Sequence, residues 1–219
     1  MSKKNTTWKN NQFKNRFLND PLRLKQFELD KKFIEKYTNK GRLLDIGCST
    51  GEFVKYLNWK GEVYGMETNS YAKKYARKFI KFEKNILNKK NFFDVIIMRG
   101  TIQHLDLPIF YIKKSYEMLK KNGYIIFLAT PNSNSPVFRI KQNLPALIPK
   151  QNYYIPGNKD LYNILNNYNF RNIEIEYPYL KTPYCRIFHD LFFFTLNLIT
   201  PMFFEHAFFK SMMNVSAKK

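Results

Sequence analysis

Two acids and the glycine-bearing turn between them carry the chemistry legible in this chain. Asp45 lies near the end of a short apolar run at 42–46, and Glu67 follows a second such run at 62–66. Between them stands Gly47-Cys-Ser-Thr-Gly51. Glycine after a buried strand and before a helix lets the backbone pass close to a ligand. Two nucleotide-type chemistries compete for such a turn. A dinucleotide turn, G-x-G-x-x-G, needs glycine at positions 49 and 52, where this chain has Ser49 and Glu52. A carboxylate opening the helix repels a pyrophosphate, which requires that positive helix end. The better fit is a ligand with no phosphate and a positive centre.

S-adenosylmethionine has that charge distribution, with a sulfonium and an amine. Asp45 can face its amino-acid end, and the Gly47–Gly51 backbone its adenosyl side. Glu67, twenty residues after Gly47, can accept both ribose hydroxyls. Either acid alone reads equally well as a loop carboxylate, but two acids in register at consecutive strand tips do not. For a hydroxyl acceptor, a base that titrates near neutral pH helps. His104 follows a strand on the side where βα loops face the crevice, whereas His189 and His206 sit in a greasy C-terminal stretch. His104 is therefore the candidate base, although a loop histidine can equally just pack or cap. Cys48, inside the turn, reads as packing, not as a nucleophile. No carboxylate cluster suggests a metal site.

These residues need a scaffold. Apolar runs at 42–46, 62–66, 93–98 and 124–129, with a weaker one at 81–83, read as strands, and 171–177 and 213–217 add two more. Helical periodicity covers 21–37, 52–59, 70–81, 109–120 and 160–168, with Asn39 to Gly41 ending the first helix and Asn122-Gly123 the fourth. Strands alternating with helices predict an α/β fold with a mostly parallel, seven-stranded sheet covered on both faces. One domain, 1–219, is expected: a helical cap at 1–38, a cofactor-binding core at 42–132, a loop-like insertion at 133–158 and a hydrophobic insertion at 178–210.

The chain resembles the class I S-adenosylmethionine-dependent methyltransferases, in particular a bacterial branch acting on small molecules and surface-glycan precursors. Residues 44–51 resemble the first motif, with Ser49 where a middle glycine usually stands. Glu67 matches the ribose-binding acid, and Asn85-Ile86 the adenine-side pair, so Asn85 is expected to bond the adenine amino group. Residues 93–105 resemble the fourth-strand motif, with Gln103-His104-Leu105 in place of E-H-L, and 119–132 resemble the fifth strand. The resemblance implies cofactor contacts from Asp45, Gly47, Cys48, Ser49, Gly51, Glu67, Asn85, Ile86, Arg99 and Gly100. It implies a Rossmann-like fold and methyl transfer to a hydroxyl or amine, with a sugar of a surface polysaccharide or its lipid-linked precursor as acceptor. Asn132, Tyr153 and Tyr154 are expected in the acceptor pocket.

Composition bounds these readings. The 219 residues carry 37 Lys plus Arg against 17 Asp plus Glu, a net charge of +20. That suggests a polyanion partner, yet lysine is spread along the chain amid abundant Asn, Ile, Phe and Tyr, as an AT-rich coding sequence gives. A dedicated nucleic-acid surface is disfavoured, though an RNA methyltransferase or a non-catalytic cofactor-binding partner protein stays open. Two cysteines exclude a disulfide scaffold. The first residues show no secretory pattern, so a cytoplasmic location is expected. Residues 191–204 are too short to span a bilayer, are broken by Pro201, and have apolar side chains all round a helical wheel. They read as a cap over the crevice or a homodimer contact, or as an anchor on the inner membrane face.

Overall fold

The four residues of β1 (Leu43–Ile46) are all buried, because the strand runs through the middle of a sheet with helices on both faces. Their alternation divides the core. Leu44 and Ile46 join one apolar layer, with Ile96 and Met98 of β3 (Phe93–Arg99) and Ile125 and Phe127 of β4 (Leu119–Pro131). Leu43 joins the other, with Val95, Ile97, Ile126 and Leu128. A computed structural model describes residues 21–142, 144, 152–182, 184–200 and 210–219. The expectations for 1–20, for most of 143–151, and for 201–209 with Pro201 and His206 lie outside the described residues.

Six strands form one sheet in the order β2-β1-β3-β4-β6-β5, where β2 is Val63–Met66, β5 is Arg171–Glu176 and β6 is Met212–Lys218. β1 to β4 pair in parallel. β6 is antiparallel to both of its neighbours. The expected strand at 81–83 is reduced to a single parallel bridge between Tyr64 and Lys81, so the described sheet has six strands and not seven. Lys81, Glu83 and Lys84 are exposed, and Phe82 alone among them packs toward the core, too little to hold a longer edge strand.

On the Leu43 side pack α1 (Pro21–Glu35), through Phe27, Phe33 and Ile34, and α2 (Glu52–Leu57), through Phe53, Val54 and Leu57. Ala76 of α3 (Ser70–Ala76) joins them. Each such apolar side chain contributes about 1.5–3 kcal/mol. α2 stops two residues short of the expected end, at Asn58, whose left-handed backbone (φ +49°) breaks the helix. α3 opens on Asn69, whose side chain accepts from the Ala72 N–H at 3.0 Å. On the Leu44 side pack α4 (Pro108–Met118) and α6 (Asn158–Asn167), the latter through Leu161 and Leu165.

The insertion read as loop-like contains a short helix, α5 (Pro136–Lys141). Ser135 caps it by accepting from the Phe138 N–H at 3.3 Å, and Pro136 begins it. α4 ends at Met118, before Asn122-Gly123, because the chain has already entered β4 at Leu119. α7 (Ile187–Ile199) carries the first part of the hydrophobic stretch.

Candidate functional site

From β1 the chain crosses to β2 on one side, and from there to β3 on the other, so a crevice opens beyond the carboxyl ends of these strands. A cavity of about 810 Å³ occupies it, within the range of small-molecule sites. Its wall is built from the turn after β1, the tip of β2, the segment 82–87, the turn after β3 and one side of α1.

The turn after β1 depends on its first glycine. Gly47 has φ +80°, and a Cβ there would lie 2.4 Å from the Thr101 side chain. The backbone of 47 and 48 is tied to β2, with both N–H groups donating to the Met66 carbonyl at 2.8 and 3.2 Å. Ser49 follows at φ +51°, the left-handed region in which glycine is at home. Its N–H donates to Glu67 Oε2 at 3.0 Å, while Oε1 accepts from the Asn69 N–H at 2.7 Å. Glu67 is thus oriented by two backbone donors, with lone pairs left for a ligand's hydroxyls. Cys48 is buried, and that burial pushes its thiol far above its usual range, so it stays protonated.

Asp45 is 3% exposed on the cavity wall, and its Oδ1 has no hydrogen-bond partner. Burial pushes its carboxyl from 3.8 up to about 7, with Arg99 pulling down and Glu67 pushing further up. Arg99, at the end of β3, sits with its guanidinium carbon 4.5 Å from the Phe27 ring centroid and 5.2 Å from that of Phe53. Its Nε donates to Asp30 Oδ2 at 2.8 Å, and its buried Nη2 has no partner. Asp30, fully buried on α1, also accepts from Tyr179 Oη–H and from Asn214 Nδ2 at 3.2 Å. Burial holds the Tyr179 phenol well above its usual range, so it remains a donor. The Tyr179 hydroxyl in turn accepts from the Ala129 N–H at 2.7 Å.

A partnerless buried carboxylate oxygen, a partnerless guanidinium nitrogen, an acid with free lone pairs and a glycine with no room for a side chain therefore share one wall. That donor set fits S-adenosylmethionine: Asp45 for the ammonium, Arg99 for the carboxylate, Glu67 for the ribose, and Phe82, Ile86 and Leu87 as an apolar slot for the base.

Of the residues expected from sequence, Asp45, Gly47, Cys48, Ser49, Glu67, Ile86, Arg99, Gly100, His104 and Tyr153 line the cavity together. Four do not. A Cβ on Gly51 would stand 3.3 Å from Ala76 Cα and Ile80 Cδ1, so this glycine serves the turn (φ +78°) and the packing of α2 on α3. Asn85 is exposed and off the wall: it stands at the N-cap position of the 3-10 turn Ile86–Asn88 without a side-chain cap bond, while Ile86 is buried and on the wall. Asn132 is 2% exposed and committed to structure: it donates to the Lys210 carbonyl and accepts from the Asn134 and Asn158 N–H groups, each at 3.0 Å. Tyr154 is also off the wall. His104 ends the 3-10 turn Ile102–His104, with its Nε2 3.4 Å from Gln103 Nε2. The Gln103 Oε1 is buried without a partner.

Sequence reasoning missed Arg23 and Gln26 of α1, Lys73, Tyr111 and Tyr184 on the wall, and the Asp30 cluster beneath it. A signal existed for two of these residues. Gln26 and Asp30 fall on the buried stripe of α1 beside Phe27, Phe33 and Ile34, and polar side chains on an apolar stripe mark a site. Arg23 also neutralises Glu52, the helix-opening acid, at 2.7 Å.

Residues 15–175 match the family described as "Methyltransferase domain". A curated relative, the ubiquinone biosynthesis O-methyltransferase of Pelagibacter ubique (strain HTCC1062), is 36% identical over 112 residues, which are 45% of this chain and 46% of that protein. The match thus spans less than half of the relative's length. Among solved structures, a SAM-dependent methyltransferase from Archaeoglobus fulgidus superposes with a TM-score of 0.62 at 18% identity, covering 90% of this chain and 94% of that one. One from Aquifex aeolicus gives 0.62 at 17%, covering 97% and 99%. Haemonchus contortus phosphoethanolamine N-methyltransferase 2, in complex with phosphomonomethylethanolamine and S-adenosylhomocysteine, gives 0.59 at 16%, covering 88% of this chain and 52% of that one. At such identities these likenesses speak for the fold. By its matched span, its reversed strand β6 and the acids at the tips of β1 and β2, the chain belongs to the methyltransferase-domain family, with the Rossmann-like fold of the S-adenosylmethionine-dependent methyltransferases and S-adenosylmethionine as its cofactor.

Proposed function

We propose that the chain catalyses methyl transfer from S-adenosylmethionine to a hydroxyl or amine of a small molecule, with a hydroxyl on an amphiphilic acceptor as the preferred reading. The observation that carries the reading is the pair Asp45 and Glu67 on one cavity wall, the first buried with a partnerless oxygen. When bound, the cofactor supplies a methyl group already activated as a sulfonium. What the chain must do is hold both partners in line and keep water away. Asp45 pairs the ammonium and Arg99 Nη2 donates to the carboxylate, so the amino-acid end is fixed at both charges. Glu67 fixes the ribose. Gln103 Oε1 accepts a hydrogen from the acceptor, and His104 takes the proton released from the attacking oxygen.

Two observations favour an amphiphilic acceptor carrying a hydroxyl. The 36%-identical relative is named an O-methyltransferase of ubiquinone biosynthesis. Beside the wall residues Leu105 and Asp106, the side chains of Leu107 and Phe110 are exposed at 59% and 41%, an apolar rim suited to a greasy tail. A lipid-linked sugar, the acceptor suggested by the surface-glycan resemblance, also fits that description.

The test is formation of S-adenosylhomocysteine with a polyprenylated phenol, a lipid-linked sugar and phosphoethanolamine as acceptors. Turnover with either of the first two and none with the third is expected; turnover with phosphoethanolamine alone overturns the hydroxyl reading. The His104→Ala variant is expected to lower kcat at least about 100-fold while S-adenosylhomocysteine affinity stays within about twofold. Undiminished kcat removes His104 from proton transfer.

A further inference from the structure

α7 is built inside out for a helix facing water. Its two buried residues are polar, Asp190 at 0% and Asn197 at 6% exposure. Its outward side carries Ile187, Phe188, Leu191, Phe192, Leu198 and Ile199, with Phe188 at 89% and Ile199 at 81%. Stepping 100° per residue from Ile187, these six fall within one arc of about 140°. The one polar residue in that arc, Thr195, donates its hydroxyl back into the helix, with the Leu191 carbonyl at 3.0 Å and the Phe192 carbonyl at 2.7 Å. With that proton turned inward, the arc offers water no side-chain donor. A surface helix of a soluble protein has the opposite polarity.

We infer that this face is a docking surface for an anionic lipid bilayer. The helix is about 20 Å long (13 residues at about 1.5 Å each), too short to cross a bilayer and suited to lying in its interface. Charge supports that occupant. The chain carries +20, the outward arc holds no acid, Asp190 is buried, and exposed Arg186 and Lys181 stand at the helix's leading end. Anionic headgroups complement that rim. A second copy fits less well. It brings another +20 against the first, and one face of so short a helix offers a few hundred Å², against about 800 Å² per partner in a stable interface.

Tyr184, on the cavity wall, lies two residues before Arg186, the N-cap of α7. Resting on the methyl-transfer reading, docking through α7 brings the site to acceptors dissolved in the bilayer. The docking itself does not depend on that reading.

The experiment is flotation of the full chain with vesicles of phosphatidylcholine, or of phosphatidylcholine mixed with phosphatidylglycerol, at low and high salt. Light scattering is run in parallel, with S-adenosylhomocysteine calorimetry as the control for folding and for the cofactor reading. The wild type should float with the anionic vesicles and less so at high salt. Phe188→Ser with Phe192→Ser should lower the partition coefficient about tenfold or more while cofactor affinity is retained. A wild type that stays in the soluble fraction, binding indifferent to phosphatidylglycerol, or equal flotation of the double variant each overturns the proposal. A dimer that the same double substitution dissociates, with no vesicle binding, assigns the face to a second copy instead. Loss of cofactor binding with flotation intact would count against methyl transfer and leave the docking surface standing.

Discussion

Ser49 holds a left-handed backbone (φ +51°) so that its N–H can reach Glu67 Oε2 at 3.0 Å. For a residue with a Cβ this costs about 1–2 kcal/mol, offset in part by the greater freedom that glycine has in the unfolded chain. Ser49→Gly should therefore raise stability by about 0.5–1 kcal/mol, a few degrees in Tm by scanning calorimetry, with the Glu67 contact and cofactor affinity intact. A fall in Tm would mean that the hydroxyl contributes more than the backbone costs. Asp45, Gly47 and Glu67 were legible in sequence because short apolar runs end beside them. That Asn85 and Asn132 stand off the cavity wall was not legible there, for one reason. The sequence gives their place along the chain but not their direction, and Asn85 faces solvent while Asn132 is used up by the Lys210 carbonyl and two backbone donors.

At the scale of elements, α1, β3, β6 and the segment after β5 meet at one buried carboxylate. Asp30 takes Arg99 from β3, Asn214 from β6 and Tyr179. It aims Arg99, whose partnerless Nη2 is the proposed donor to the cofactor's carboxylate. Asp30→Asn should therefore weaken S-adenosylhomocysteine about tenfold or more. Affinity for 5′-methylthioadenosine, which lacks the amino-acid end, should stay nearly unchanged. Calorimetry with both ligands reads the ratio, and an equal loss for both would reduce Asp30 to a purely structural role. Periodicity could mark Asp30 on the buried stripe of α1 but could not announce its partners Arg99, Tyr179 and Asn214, which lie 69, 149 and 184 residues further along the chain. Strands β1 to β4 were legible because buried parallel strands are unbroken apolar runs. The 81–83 segment was over-read because three residues of mixed polarity cannot separate a strand from one bridge. For α7, an all-round apolar wheel did not say which side would be buried. The structure turns the polar pair Asp190 and Asn197 inward, which hydrophobicity alone would have turned outward.

Across the whole molecule, the +20 charge and the site pull in different directions. The excess is spread over the surface, whereas the cavity sets Asp45, Glu52, Glu67, Glu83 and Asp106 against Arg23, Lys73, Lys84 and Arg99. The sheet order explains why these groups converge. Crossing from β2 to β3 over β1 leaves a crevice only at the carboxyl ends, and Asp45, Glu67 and Arg99 stand at three of those ends. The same burial makes the site sensitive to pH. In the free protein Asp45 titrates near 7 instead of 3.8. Between these values the folded chain keeps a proton that the unfolded chain has lost, so this group's contribution to stability falls as pH rises through that window. A bound ammonium requires the carboxylate, so ligand binding must expel the same proton when the pH is below about 7.

The most direct test of the account is a calorimetric titration of S-adenosylhomocysteine from about pH 5.5 to 8.5, with the wild type and with Asp45→Asn. The wild type should bind with an affinity that rises about tenfold per unit up to pH 7 and then levels off. Asp45→Asn should bind at least about 30-fold more weakly at pH 8, the equivalent of about 2 kcal/mol, with no such rise. Absence of binding by the wild type, or a variant that binds as tightly and with the same pH profile, would contradict the assignment of this cavity.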